Sequence, residues 1–495
     1  MKQEKDAARP DTTSYAYDTM RPAWDTVQTV LEGTTAMRRA GKQFLPQHHG
    51  ETDTAYGERL SRNTLLNVTK LTLNSWVGRP FSDIIRFEET PEPITAILPN
   101  VDLVGNDAQV FCRNWFADGV AKAYSHVYVD FPRTDTVEGV RTVADDLREG
   151  VRPYWVHIKP EQIFFASAEV IAGREVLREI RMMEEVSDMV GFAELLQPQI
   201  RRVYIDAEGS HVQLYRKDDP RKEDSDWVLY EEYEFSLGFI PLVTFYAHRD
   251  DFMLGTPPLL DLADLNIAHW QSTADQRSIL TVTRFPILAL SGASDEGKEL
   301  VIGPNRWLYS PDPGGKFYYV EHTGKAIAAG RQDLVDLEEQ MAEYGADFLR
   351  KRPGNVTATA RALDSAEATS PLMDMTIRFS EALDLVLEYT AAWLNLPSGG
   401  HSELTTDFGP EGADQAELTT LSNTRKDRDI SRKAYLEELK RRGILTEEYD
   451  IEEDATQLEE ETMDLFGNTG PPVEVEDEGE SELDEERRED EEDAE

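Results

Sequence analysis

Apolar positions recur along the chain at two periods, and the switches between them divide it into segments. From about Tyr17 to Trp76 the spacing is helical, with Trp24, Val27, Val30 and Leu31 in step. The loop Gly41-Lys-Gln-Phe-Leu-Pro-Gln-His-His-Gly interrupts that region, the chain turns near Gly78-Arg-Pro-Phe, and Val110 to Ala123 is helical again. From Ser125 to Tyr246 the period becomes two. Strands are predicted at Ser125–Phe131, Tyr154–Ile158, Arg201–Asp206, His211–Tyr215, Trp227–Phe235 and Ile240–Tyr246, with another at Met182–Val186.

A helix is predicted from Thr256 to about Val282, with Thr256 as its cap and Pro257 at the first helical position, where a missing donor costs nothing. It carries Leu259, Leu262, Leu265, Trp270 and Ala274. Residues 285–323 form an insert rich in Gly and Pro, strand-like at Phe285–Gly292 and at Lys316–Val320. A narrow helical seam follows: Leu334, Leu337, Met341, Tyr344 and Phe348. It ends in a basic hinge, Arg350-Lys351-Arg352-Pro353-Gly354-Asn355. A second, long helix starts within Thr357–Ala368 and carries the stripe Leu372, Met375, Phe379, Leu383, Val386, Thr390 and Trp393. Two short helices are expected near 411–428 and 431–442. Helices and strands segregated in this way make the fold class α+β.

Composition alters this picture in one respect. The 495 residues carry a net charge of −45, of which −23 lies in the last 49, so the preceding 446 still carry −22. Lysine is scarce, 15 against 36 arginines. Such a surface fits a protein kept soluble at high salt, and equally an ordinary acidic protein. From Gly467 onward the chain has almost no apolar residues and is expected to be disordered. No apolar run reaches the length of a membrane span, and the first residues lack the apolar stretch of a secretory signal. A lone cysteine, Cys112, excludes an internal disulfide and fits a reducing compartment.

Candidate chemistry is sparse. Gly314-Gly315-Lys316 lacks the spacing and the following Ser/Thr of a phosphate loop, and no Gly-x-Ser-x-Gly elbow presents a nucleophile. His48-His49 has no third ligand at metal spacing and reads as an exposed loop pair. No catalytic residue, metal site or cofactor is expected, and the chain does not read as an enzyme. The basic hinge stands out in so acidic a protein. Cations at a helix C-terminus also complement its dipole, which alone would explain Arg350 and Lys351. Arg361 lies three residues before Asp364, within pairing distance on a helix.

In their order these pieces resemble the portal proteins of tailed double-stranded-DNA viruses, and in particular a phage group described only as a domain of unknown function. The resemblance rests on Trp24, Val30-Leu-Glu-Gly33, Ala40-Gly41, Phe44-Leu-Pro46, Tyr56, Arg59 and Val77-Gly-Arg-Pro-Phe81. It continues through Leu237-Gly-Phe-Ile-Pro-Leu-Val243, Thr256-Pro-Pro-Leu-Leu-Asp-Leu-Ala-Asp-Leu-Asn266, Thr357–Ala368 running into Leu383–Trp393, and Arg441-Arg-Gly-Ile-Leu445. It implies a homo-oligomeric ring, usually of about twelve subunits, at one vertex of the capsid. DNA is packaged and ejected through its channel, and the terminase large subunit, head-tail adaptor or neck proteins and the major capsid protein are its partners.

The same resemblance implies a virion location after assembly in the host cytoplasm, with no membrane. Residues 1–13 would be a flexible N-terminus, 14–255 the wing, 256–284 and 324–349 the stem helices and 285–323 the clip. Residues 350–371 would hold the tunnel loop, 372–396 the long helix, 397–466 the crown and 467–495 the acidic tail. The tunnel loop would present Arg350, Lys351, Arg352 and Arg361 to the DNA channel. In the clip, Asp295, Glu296, Lys298 and Arg306 would face terminase and neck proteins. Pro371 falls where a portal's long helix is kinked, and a mid-helix proline supplies the cause. Two other expectations stand beside it: an acidic scaffolding or adaptor capsid protein without a channel, and an unrecognised DNA-processing enzyme.

Overall fold

The helical N-terminal segment breaks where side chains can cap. The computed structural model describes residues 9–132, 150–219, 222, 225–284, 287–291, 314–320, 325–344, 358–406, 408, 415–441, 444–445, 449, 451, 454 and 456. In it Ser14 accepts from the Tyr17 amide and opens α1, Tyr15–Glu32, which Gly33 closes at φ 85°. Helix α2 spans Thr34–Ala40. Thr52 caps α3, Asp53–Arg62; Asn67 caps α4, Val68–Gly78. After the pairing strand β1, Arg86–Glu88, and the short α5, Glu92–Thr95, Asp107 caps α6, Ala108–Lys122. One periodic stretch thus becomes four helices ending at Gly78: Gly33 at positive φ separates the first two, and Thr52 and Asn67 cap the amides that open the others.

Two antiparallel sheets follow. The strands β2, Tyr124–Asp130, and β3, Tyr154–Ile158, join β9, Leu242–Tyr246, in the order β3-β2-β9. The central strand β2 is buried along most of its length, which is why it reads as a run rather than an alternation. The second sheet is a meander of β4, Ile163–Ile171; β5, Arg174–Val190; β6, Ala193–Ile205; β7, Ser210–Lys217; and β8, Trp227–Phe235. Strand β4 and the full length of β5 and β6 escape the sequence reading. Their faces carry alternating charges held by cross-strand pairs, Arg202 with Glu179 at 2.9 Å and Arg201 with Glu184 at 2.7 Å, and not by apolar residues.

Helix α7 runs Leu260–Thr283. Its start corrects the expected cap: the Thr256 hydroxyl donates to Asp250 instead, and a turn from Pro257 O to the Leu260 amide precedes the helix. Pro258 is the reason, since a residue before proline is pushed out of the α region. The hairpin β10, Ile287–Ser291, with β11, Lys316–Val320, occupies the predicted strand positions of the insert. Then come α8, Lys325–Glu343, and α9, Ala358–Trp393. Helix α9 already includes 358–371, so the segment assigned to a tunnel loop is helical over its second half. Strand β12, His401–Glu403, pairs with β1.

The chain divides into two compact units, Met1–Gly409 and Pro410–Glu495. Strand β12 is tied into the larger unit by β1. In the smaller unit are α10, Gln415–Lys426, and α11, Arg432–Arg441, the latter capped by Ser431. The acidic segment 467–495 lies outside the described residues.

The larger unit's core closes under α9. Leu372, Met375, Phe379, Leu383, Val386 and Thr390 are all buried, as their spacing predicts. Phe379 meets Phe81, Trp115, Phe116 and Phe245 with ring centroids 4.7–5.9 Å apart. Gly119 makes room for that cluster: a Cβ there would stand 2.5 Å from the Phe245 ring. The indoles of Trp155 and Trp393 donate to Thr390 Oγ1 and Val129 O, both at 2.9 Å, which pins α9 to the first sheet.

Candidate functional site

Helices α7 and α8 form an antiparallel pair joined through the insert that carries β10 and β11. Three contacts set its register. His269 Nε2 lies 3.7 Å from Glu338 Oε1, the Ser272 hydroxyl donates to Asp333, and Gln276 Nε2 donates to Ile327 O at 3.0 Å. Gly330 permits the close approach, because a Cβ there would sit 2.2 Å from Gln276 Oε1. Burial pulls the His269 imidazole below its ordinary pKa, against the pull of Glu338.

The other side of α7 is held by buried polar contacts. Asn63 Nδ2 donates to Trp270 O and Asn266 Nδ2 to Leu66 O, each at 2.7 Å. Gln271 donates to Phe44 O, and Arg59 is fixed by Glu51, Pro46 O and Asp275. Each such bond must be made in one register or a buried group is left unpaired, so α7 is positioned rather than merely buried. The solvent side of α8 carries Asp336, Glu339 and Glu343.

A second polar constellation lies inside the larger unit where α6 meets β2. Lys122, 1% exposed, is 2.8 Å from Asp118 and 2.6 Å from Glu161. The Ser125 hydroxyl donates to Asp118 Oδ2 at 2.9 Å and lies 3.0 Å from His157 Nε2, which is itself 3.5 Å from Asp118. The residue types are those of a nucleophile relay, but the geometry is different. One ring nitrogen faces both Ser125 and Asp118, whereas a relay needs the two nitrogens on opposite partners, and Ser125 is fully buried. The cluster is a buried ionic network. Sequence reading missed it because Glu161 stands 39 residues from Lys122; the only local signal was the Asp118–Lys122 spacing on α6.

This region makes stability depend on pH. Burial opposes the Asp118 charge, yet His157 and Lys122 hold the carboxyl down at about 2. Next to it, His126 is buried, Nδ1 lies 2.9 Å from Thr244 Oγ1, and burial pulls the ring to about 3. A depressed histidine favours the neutral folded form. Its contribution is complete above the unfolded value near 6.5 and is lost as pH falls from there toward 3. Asp118 contributes in the same direction only below about 4. Between pH 6.5 and 5 the wild type should therefore lose about 1–2 kcal/mol that His126→Gln keeps. Urea midpoints across that range measure the difference; equal slopes for both proteins would contradict the assignment.

Of the residues singled out from sequence, Arg350, Lys351, Arg352, Asp295, Glu296, Lys298 and Arg306 lie outside the described residues. Arg361 lies on the first turns of α9, and Pro371 is exposed within that helix. Pro371 deprives the Glu367 carbonyl of its helical donor, while the helix assignment continues through it. His48 is an exposed loop residue 3.0 Å from Asp275, and Cys112 is buried and unpaired, with its thiol pKa pushed up by burial. Among the described residues no group of three His, Cys, Asp or Glu could hold a metal ion, and no helix is long and apolar enough to cross a membrane.

Fold and site together define an α+β protein with an antiparallel helical pair, a strand-bearing insert between its helices, and a long helix packed on a sheet. Residues 258–394, which hold the helical pair, the insert and the long helix but not the sheet, match the family described as Domain of unknown function (DUF4055). This segment holds most of Thr256–Asn266 and all of Thr357–Trp393, and over it the resemblance to a group described as a domain of unknown function is borne out. No curated protein matches the chain. Solved structures that resemble it include the "Neck of native GTA particle computed with C12 symmetry", at 10% identity and TM-score 0.36, covering 74% of this chain and 88% of that one. The "Neck of empty GTA particle computed with C6 symmetry" has 11% identity and TM-score 0.37, with 86% and 95% covered. A third, "Virion of native gene transfer agent (GTA) particle", has 11% identity and TM-score 0.35, with 90% and 100% covered.

Proposed function

We propose that this chain is a portal protein, a ring-forming channel through which double-stranded DNA enters and leaves a capsid. The observation that carries the reading is the order helix, strand-bearing insert, antiparallel helix, long helix across the residues the family matches. In this reading α7 and α8 are the stem, and their buried polar contacts keep each copy in the same pose around the ring. The insert between them is the clip, where Asp295, Glu296, Lys298 and Arg306 meet terminase and neck proteins. The protein itself performs no chemistry.

The hinge between α8 and α9 then acts through repetition. About twelve copies of Arg350, Lys351 and Arg352 place about 36 positive charges around the passing phosphates. Acidic residues of α8 such as Asp336, Glu339 and Glu343 repel the duplex from the wall. Phosphate contacts carry no sequence information, so the collar centres any genome alike.

Electron microscopy of the purified protein at high salt tests the channel: rings of about twelve with a central hole are expected, and monomers at every salt concentration would refute it. Replacing Arg350, Lys351 and Arg352 together by glutamate should leave ring formation intact and lower packaged DNA by about tenfold or more. Full heads with the triple variant would remove the collar from the mechanism.

A further inference from the structure

The second sheet is longer than its neighbours can cover. Strand β4 pairs with β5 only through Met182, and β7 reaches β6 only from Gln199. Beyond those points β5 and β6 continue together, Glu185–Val190 against Ala193–Pro198, as a two-stranded arm ending at Gly191 (φ 67°) and Phe192. An isolated two-stranded ribbon is marginal in water. This one also ends in apolar side chains: Phe192 is 108% exposed, Met189 69% and Leu196 57%.

The opposite end of β5 offers a matching hole. A cavity of about 340 Å³ is lined by Val176 and Leu177 of β5, Phe239, Leu242, Phe252 and Leu385 among others. At roughly 30 Å³ per water it holds some ten water volumes, enough for an aromatic ring. Leu385 is 41% exposed at its edge. Knob and hole cannot meet within one chain. Val190 lies thirteen residues beyond Leu177 on the same strand, about 43 Å at a strand's rise. The fit is one of apolar surface: beside the hole Arg249 is already paired with Glu175, and the lining is otherwise uncharged.

We infer that Phe192 at the tip of the β5–β6 arm inserts into the Leu177–Leu385 cavity of a second copy of this chain. The contact joins two different patches, so it is head-to-tail, the kind that closes into a ring when the rotation permits. The inference rests on the ring reading above and assigns it an intersubunit contact.

Two variants test it. Phe192→Asp alters an exposed position and should leave the subunit folded by circular dichroism while lowering the ring fraction in mass photometry at least tenfold. The pair Phe192→Cys with Leu385→Cys should give covalent multimers on brief diamide oxidation, whereas each single variant should not; Cys112 is buried and stays silent. Undiminished rings in Phe192→Asp, with no cross-link in the pair, would overturn the contact and leave the ring standing. Should the wild type form no ring at any salt concentration, the ring reading fails, and the cysteine pair alone decides: multimers support a head-to-tail contact, monomers refute it.

Discussion

Lys122→Met should destabilise the larger unit by about 3–5 kcal/mol, the usual consequence of breaking a buried ion pair from one side. The ammonium is enclosed by Asp118 at 2.8 Å and Glu161 at 2.6 Å. Burial works against the Lys122 charge, but the two carboxylates outweigh it and raise its pKa, while Asp118 is held at about 2. Both therefore remain charged at neutral pH. Methionine fills the space of the stem but leaves Asp118 as a buried anion with only Ser125 and His157 beside it. The damage spreads because Trp24 of α1 donates to the Lys122 carbonyl where α6 hands over to β2. Urea unfolding followed by tryptophan fluorescence measures the loss. Adding Asp118→Asn to Lys122→Met should restore part of it by removing the stranded charge, an outcome that simple loss of packing would not produce. An unchanged midpoint for Lys122→Met would show that the network contributes nothing.

Phe379→Ala should cost about 3–5 kcal/mol and loosen α9 from the sheet beneath it. Its ring touches four other aromatic rings, and the nearest, Trp115, has its centroid 4.7 Å away. Truncation removes the transfer free energy of the ring and leaves a cavity that four stiff aromatic side chains collapse into poorly. Ile377, on the same helix but 43% exposed, provides the comparison: Ile377→Ala should stay within about 0.5 kcal/mol. Loss of near-ultraviolet dichroism from the aromatic cluster should accompany the Phe379 change alone. Equal midpoints for the two variants would mean that the α9 stripe does not hold the helix. In the proposed channel α9 is the support behind the basic hinge, so Phe379→Ala should also reduce DNA packaging where rings still assemble.

Much of the helical frame was legible because its signals are local. The stripe from Leu372 to Thr390 predicted the buried face of α9, and the strands predicted at 125–131, 154–158 and 240–246 fall, within two residues at their ends, on the three strands of the first sheet. Lys316–Val320 was readable as a strand inside an insert with almost no other pattern. Where a cap or proline competed with the period, boundaries moved: Thr52 and Asn67 divided one helical stretch, and Pro258 delayed α7 to Leu260. The basic hinge is the opposite case, since Arg350, Lys351 and Arg352 are named by sequence and order alone.

The sequence by itself determined the main helices and the strands of the first sheet, the order of helix, insert, helix and long helix, and the placing of three cations in an acidic chain. These follow from periodicity and charge, which act between residues close along the chain. Only the tertiary structure decided that Asp118, Lys122 and Glu161 share one buried site and that Phe379 sits among four rings. It alone showed that β5 and β6 run past their sheet with a knob at one end of β5 and a hole at the other. Those features depend on desolvation and on contacts between segments tens to hundreds of residues apart, and no local period encodes which distant partner will exclude the water.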